Sequence, residues 1–281
     1  MLLRIASDLH LEGFAGRDPT TLAIDFLPPD PRDTEAMLVL AGDISSSPDQ
    51  LVGFIRAVMP RLKRTIFVPG NHEYYRHNYV AWNATMTDRF LEHTPGLIFA
   101  LGGVDCSVID GVRFIYGTLW GDGGPMLADQ AQVGFYLNDF RLITMPGHGD
   151  ASYRQVPRRF TVQDMMHVHK KQKAQIDGLL KEPFDGKTVV ITHHLPSRRL
   201  VSARFWPKDG SDGANGGFVG DCDDILAYDH APHLWIFGHT HDRISSTLWK
   251  TRVECNPTGY RGEWNTEFSG GKLLFIELET P

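Results

Sequence analysis

The stretch "TIFVPGNHEYY" occupies residues 65–75: a short apolar run closed by proline and glycine, then Asn71, His72, Glu73 and two tyrosines. Four apolar or β-branched residues followed by a Pro-Gly breaker read as a buried strand that stops abruptly. Polar side chains at such a stop cost desolvation unless something pairs with them. The arrangement recurs along the chain. Residues 2–7, "LLRIAS", run into Asp8-Leu9-His10, and residues 36–41, "AMLVLA", run into Gly42-Asp43. Residues 188–192, "TVVIT", reach His193 and His194, and residues 234–238, "LWIFG", reach His239-Thr240-His241. Five strand-like runs thus end in side chains able to hold a metal.

Three further runs, 112–119, 251–256 and 272–278, complete the predicted strands, and longer helical patterns lie between them. Leu51, Phe54, Ile55, Val58 and Leu62 fall at helical spacing, and Pro60 is expected to end that helix. A second helix is predicted over 78–93. A third covers 161–180, with Met165, Val168, Ile176 and Leu179 facing inward. This alternation predicts an α/β fold. No internal repeat and no Pro/Gly/Ser-rich linker divides the chain, so residues 1–281 are read as one domain. Stretches 121–159 and 198–221 read as long loops. Within the second, Asp209, Asp212 and Asp221 miss the spacing of an EF-hand and are read as part of a flexible loop. In open α/β sheets ligands bind beyond the carboxyl ends of the strands, where five segments can converge. Asp8 and His10 are two residues apart, as are His239 and His241, so extended backbone would turn each pair the same way.

Bulk properties narrow the field. The chain has 281 residues, 42% of them hydrophobic and 22% charged, with a net charge of −6 and no Lys/Arg block. That balance disfavours a protein whose main task is gripping nucleic acid. Cys106, Cys222 and Cys255 are odd in number and far apart, which suits a reducing, cytoplasmic location better than a disulfide framework. The start, "MLLRIASDLH", has no signal-peptide pattern, and no apolar run approaches the roughly 18 residues that span a bilayer.

Imidazoles, carboxylates and an amide oxygen, with no thiolate, suit manganese, iron or zinc and argue against a structural zinc site. Seven donors (Asp8, His10, Asp43, Asn71, His193, His239 and His241) are too many for one tetrahedral ion. They match two ions sharing a carboxylate, with Asp43 as the bridge. The ordered set D-x-H, G-D, G-N-H-E, H, G-H-x-H across residues 8–241 resembles the calcineurin-like metallophosphoesterase superfamily. The stretches "GTLW" (117–120), "LND" (137–139) and "CNPTGY" (255–260) are similar to a bacterial and phage branch of phosphohydrolases within it. The resemblance implies a four-layer α/β/β/α sandwich, two mixed sheets flanked by helices, with a two-metal site at one edge. Asp8, His10 and His241 would hold the first metal, Asn71, His193 and His239 the second, and Asp43 both. "HHLP" offers two histidines, of which His193 fits the pattern and comes directly off its strand. Glu73, His194, Asn138 and Asp139 are assigned to the shell behind the ligands or to substrate. "GDISSSP" lacks the Asp and Arg of the serine/threonine protein phosphatases, which argues against that activity.

Charge counting gives a mechanism. Two divalent ions bring about +4 and the two aspartates return about −2, leaving a positive site for a phosphoryl group. A water shared by the ions, with its pKa lowered to about 7, would attack phosphorus as hydroxide. Asn71 adds an oxygen donor without cancelling charge. His72, next in the turn, is not expected to face the ion that Asn71 holds, and is free to protonate the leaving-group oxygen or stabilise its developing charge. Glu73 is expected to orient that turn or His72. The predicted function is metal-dependent hydrolysis of a small phosphate mono- or diester, nucleotides included, with manganese the favoured metal and iron or zinc the others. The alternatives are a metal-dependent nuclease of the same superfamily and a non-catalytic scaffold on the fold. Tyr74, Tyr75, Trp120, Trp206 and Tyr260 serve either as cleft lining or as packing. His148, His167 and His169 are read as surface or loop residues.

Overall fold

Residues Ala36–Ala41 form a strand buried on both faces. Met37, Val39 and Ala41 enter one core, and the alternate Leu38 and Leu40 enter another, as a two-residue period requires. A strand so enclosed lies in the middle of a layered structure. The computed structural model of the protein describes residues 1–147, 156–263 and 274–278. Its strands are β1 (Leu2–Ala6), β2 (Ala36–Ala41), β3 (Arg64–Val68), β4 (Leu97–Phe99), β5 (Val104–Ile109), β6 (Val112–Gly117), β7 (Thr144–Met145), β8 (Arg158–Arg159), β9 (Lys187–Ile191), β10 (Leu234–Phe237), β11 (Ile244–Leu248), β12 (Thr251–Cys255) and β13 (Leu274–Glu277). Its helices are α1 (Pro19–Phe26), α2 (Pro48–Val58), α3 (Tyr79–His93), α4 (Leu127–Tyr136), α5 (Asp139–Leu142), α6 (Val162–Lys181) and α7 (Asp223–Leu226).

Two large mixed sheets result. One runs β13-β1-β2-β3-β4 and the other β11-β12-β10-β9-β6-β5, with β7 and β8 paired separately. Only the β13, β11 and β5 pairings in the large sheets are antiparallel. Leu3, Ile5 and Val39 of the first sheet pack against Phe114, Val189 and Ile236 of the second. Outside the first sheet, Leu40 and Phe67 meet Phe54 and Ile55 of α2 and Phe90 of α3. Outside the second, Val190 and Trp235 meet Ile176 and Leu180 of α6. The order of layers is α/β/β/α, as the sequence motifs imply.

Helix boundaries follow local chemistry. Ser47 caps α2 ahead of Pro48, and Pro60 falls in the 3-10 turn that ends it. Asn78 caps α3, and Thr161 with Asp164 forms a reciprocal capping box on α6. The inner stripe of α6 runs Met165, His169, Gln172, Ile176 and Leu180. The expected inward Leu179 is half-buried and Leu180 takes its place, while His169 is buried rather than superficial. His167 is exposed, and His148 lies outside the described residues.

Strands β4, β5 and β11 were not among the eight expected, and stretch 121–159 contains α4, α5, β7 and β8 rather than loop alone. Of the run 272–278, Leu274–Glu277 is strand and residues 272–273 lie outside the described ones. Stretch 198–221 carries only 3-10 turns. Its reading as a flexible loop gives way to a pinned one: Arg198 grips Asp122 at 2.6 and 2.8 Å and Asp212 at 2.8 and 3.0 Å. Among the described residues no helix is long and apolar enough to cross a membrane.

The exit of β12 joins the two sheets. Pro257 bridges to Ser7, Thr258 N donates to Ser7 O at 3.1 Å, and Asn256 Nδ2 donates to Ile5 O at 2.8 Å. This seam, made by "CNPTGY", fixes the edge at which β1, β2, β3, β9 and β10 end.

Candidate metal centre

Beyond those strand ends the backbone turns sharply. Asp8 (φ 53°), His10 (47°), Asp43 (55°), His239 (69°) and His241 (51°) all adopt the left-handed conformation, five of the ten non-glycine residues that do so among those described. The expectation that Asp8/His10 and His239/His241 share a face through extended backbone is therefore corrected. The strands stop at Ala6 and Phe237, and left-handed kinks aim the side chains. Such conformations cost free energy for non-glycine residues and gather at functional sites. Glycine is needed where the loops touch: a Cβ on Gly42 (φ 85°) would lie 2.4 Å from His193 Nδ1, and one on Gly70 would meet the Asp43 carboxylate.

The kinks assemble two groups of ligand atoms. In the first, His10 Nε2 lies 3.0 Å from His241 Nε2, which is 3.7 Å from Asp8 Oδ1. In the second, His193 Nε2 lies 3.2 Å from both Asn71 Oδ1 and His239 Nδ1, and 3.4 Å from Asp43 Oδ1. Asp43 reaches both, since its Oδ2 is 4.0 Å from His10 Nε2. Asp8, His10 and His241 form one potential metal-holding set, and Asp43, His193 and His239 another, with ligand atoms mutually within 4.8 Å. His72 belongs to a third set, with His10 and Asp43. Both its ring nitrogens, however, already meet protein partners.

The donor set fits metal ions. Buried carboxylates and imidazole nitrogens converge on common points, where a cation would satisfy lone pairs that otherwise face one another. His239 Nε2 is buried without a hydrogen-bond partner. Charges follow the crowding. Burial disfavours a charged His193, but Asp43 and Asp8 outweigh it and raise the imidazole to about 9. His72 rises to about 9 against the same burial, through Asp43 and Glu12. Burial raises the Asp43 carboxyl, yet His193 and His72 bring it well below its ordinary value.

The surrounding residues hold these groups in place. Glu73 touches no ligand atom. Its carboxylate accepts from the amides of Gly70 (2.6 Å), Asp43 (3.0 Å), Ile44 (2.7 Å) and Ser45 (3.1 Å), so it ties the second and third loops together and does not orient His72. Burial and Asp43 push it up to about 7, against the Gly70 amide. Asp139 accepts from Asn71 Nδ2 at 2.8 Å and from the Tyr75 hydroxyl at 2.8 Å. That contact leaves Asn71 Oδ1 directed at His193. His194 is fully buried between Trp120 and His239, with neither ring nitrogen partnered, and lies outside the ligand sets. Asn138 is exposed on the cleft wall. Tyr75 and Tyr260 line that cleft, whose volume is about 810 Å³, whereas Tyr74 and Trp120 pack in the core and Trp206 is exposed beside Phe205.

Two residues, Glu12 and Glu263, were missed, and Tyr260 was expected only as cleft lining or packing. Glu12 Oε1 lies 2.9 Å from His72 Nδ1 and 3.3 Å from His10 Nδ1, and hydrogen bonds from both histidines bring it to about 2 against burial. Glu263 pairs with His241 Nδ1 at 2.8 Å. The Tyr260 hydroxyl meets His72 Nε2 at 2.9 Å. The sequence "DLHLE" held the signal for Glu12, an acid two residues beyond a metal-capable histidine.

The sequence profile described as calcineurin-like phosphoesterase matches residues 1–243. The chain belongs to that family. It is 27% identical to the uncharacterized protein L509 of Acanthamoeba polyphaga mimivirus over 282 residues, covering 94% of this chain and 93% of the other. Among solved structures it is similar to the phosphopantetheinyl hydrolase of Mycobacterium tuberculosis, with a TM-score of 0.66 and 18% identity over 94% of this chain and 91% of that one. The second likeness is one of fold. In this phosphoesterase the His/Asp sets occupy the edge where the strands of both sheets end, open to the cleft.

Proposed function

We propose that this phosphoesterase is a two-metal hydrolase of small phosphate mono- or diesters. One observation carries the reading: the two oxygens of Asp43 face two different ligand groups, Oδ1 toward His193 and Oδ2 toward His10. Asp8, His10 and His241 would hold one cation, Asn71, His193 and His239 the other, and Asp43 both. Bound there, two divalent cations would supply positive charge for the phosphoryl oxygens and acidify a coordinated water. Asn71 contributes a neutral oxygen, kept in place by Asp139, so the site stays positive. His72, beside the ligands and within the cleft, serves the transfer of a proton to the departing oxygen. Manganese fits the oxygen-rich donors best, and iron or zinc also suit them. The shared core between the sheets supports reading residues 1–281 as one domain.

The test is a panel with added Mn²⁺: p-nitrophenyl phosphate, bis-p-nitrophenyl phosphate, cyclic nucleotides, single-stranded DNA and a phosphopantetheinyl ester, the group named for the mycobacterial hydrolase. Metal-dependent turnover of a small ester is expected. Cleavage of DNA alone would favour the nuclease, and no turnover with any substrate would favour a scaffold.

A further inference from the structure

Both ring nitrogens of His72 are already engaged. Nδ1 lies 2.9 Å from Glu12 Oε1, and Nε2 lies 2.9 Å from the Tyr260 hydroxyl. A carboxylate only accepts, so Nδ1–H donates to Glu12 and Nε2 is the nitrogen turned to Tyr260. Glu12 is itself fixed, because its second oxygen accepts from Ser46 N at 3.2 Å. The Tyr260 ring lies 4.3 Å from the ring of His10 and 4.7 Å from that of His241. It is 43% exposed and lines the cleft. His72 lines the same cleft but is only 8% exposed, so Tyr260 is the more open of the two to a group entering from it. Tyr75 offers a contrast: its ring lies 4.2 Å from that of His72, but its hydroxyl is turned to Asp139 and Asn71.

We propose that Tyr260 is the catalytic residue that touches the leaving-group oxygen, with His72 behind it and Glu12 as the positioning residue. This rests on the phosphoesterase reading above. As the P–O ester bond breaks, its electron pair stays on the leaving oxygen, which takes the Tyr260 hydroxyl proton. Water supplies the oxygen that takes the leaving group's place on phosphorus, and the proton released from that water returns to the Tyr260 oxygen through His72 Nε2. Glu12 keeps the ring oriented throughout and gives up nothing.

Aryl and alkyl phosphate esters, compared in the manganese-loaded parent, Tyr260→Phe, Glu12→Gln and Glu12→Asp, test the assignment with metal counted in each. Tyr260→Phe is expected to keep its metal and to widen the gap in kcat between p-nitrophenyl and alkyl esters by about 10²-fold or more. Glu12→Asp should recover more of the parent's profile than Glu12→Gln. In the metal-free protein, the ¹⁵N resonance of His72 Nε2 should move in Tyr260→Phe. Equal losses on all esters, an unchanged profile, or an unmoved Nε2 resonance would each overturn the proposal. Absence of turnover in the parent would instead refute the phosphoesterase reading itself.

Discussion

At Asp43 the two carboxylate oxygens lie in different surroundings, and an amide there would leave one group of imidazoles without its anion. Asp43→Asn is expected to leave at most one metal per chain, read by elemental analysis, with activity falling in step. His72 sits outside the set of seven donors but within reach of Asp43, its Nε2 lying 3.9 Å from Oδ2. His72→Ala should keep its metal and lose about 10²–10⁴-fold in kcat on esters with poor leaving groups. Asp139 acts through Asn71, and Asp139→Ala should weaken metal affinity by about 10–100-fold. The seven candidate donors stood out together because each follows an apolar run with a sharp stop. Glu12 and Glu263 did not, and Tyr260 was legible only as cleft lining or packing, since their contacts lie 60, 22 and 188 positions away in the chain. Nor did spacing reveal how Asp8 and His10 share a site, because left-handed backbone replaces the extended geometry that spacing presumes.

Elements differ in how plainly they announced themselves. Strands buried on both faces, such as β2, were legible as unbroken apolar runs. Strand β5 alternates and lies at a sheet edge, so its hydrophobic signal is thin. Its hairpin to β6 turns at Asp110-Gly111, both with positive φ, and that dipeptide was the available clue. Helix α6 depends on its cap: Thr161→Ala should cost about 1 kcal/mol in denaturant unfolding. Burial raises the Asp164 carboxyl, but Arg158 and Thr161 hold it below its ordinary value. The Asp164 half of the cap therefore contributes fully at neutral pH and is lost as pH falls through that depressed value, so the gap between variant and parent should narrow in acid. Loop 198–221 was read as flexible because nothing local shows that Arg198 reaches Asp122. Arg198→Ala should destabilise the protein by about 1.5–3 kcal/mol, measured as a shift in denaturant midpoint.

Across the whole molecule, candidate donors from both sheets would make a bound metal centre a clamp between layers. Asp8, Asp43 and Asn71 follow strands of the first sheet, and His193, His239 and His241 follow strands of the second. Cations bound there would bind the folded chain and not the unfolded one, adding about 2.7 kcal/mol at a concentration 100 times Kd. Chelation should lower Tm, and manganese should restore both Tm and turnover. The net charge of −6 does not oppose an anionic substrate, because bound cations and the imidazoles around them would set the field within the cleft. Anomalous diffraction from a crystal grown with manganese and phosphate would test the two-metal centre most directly. Two peaks are expected, one among Asp8, His10 and His241 and one among Asn71, His193 and His239, with Asp43 touching both. A single peak, or peaks away from Asp43, would contradict it.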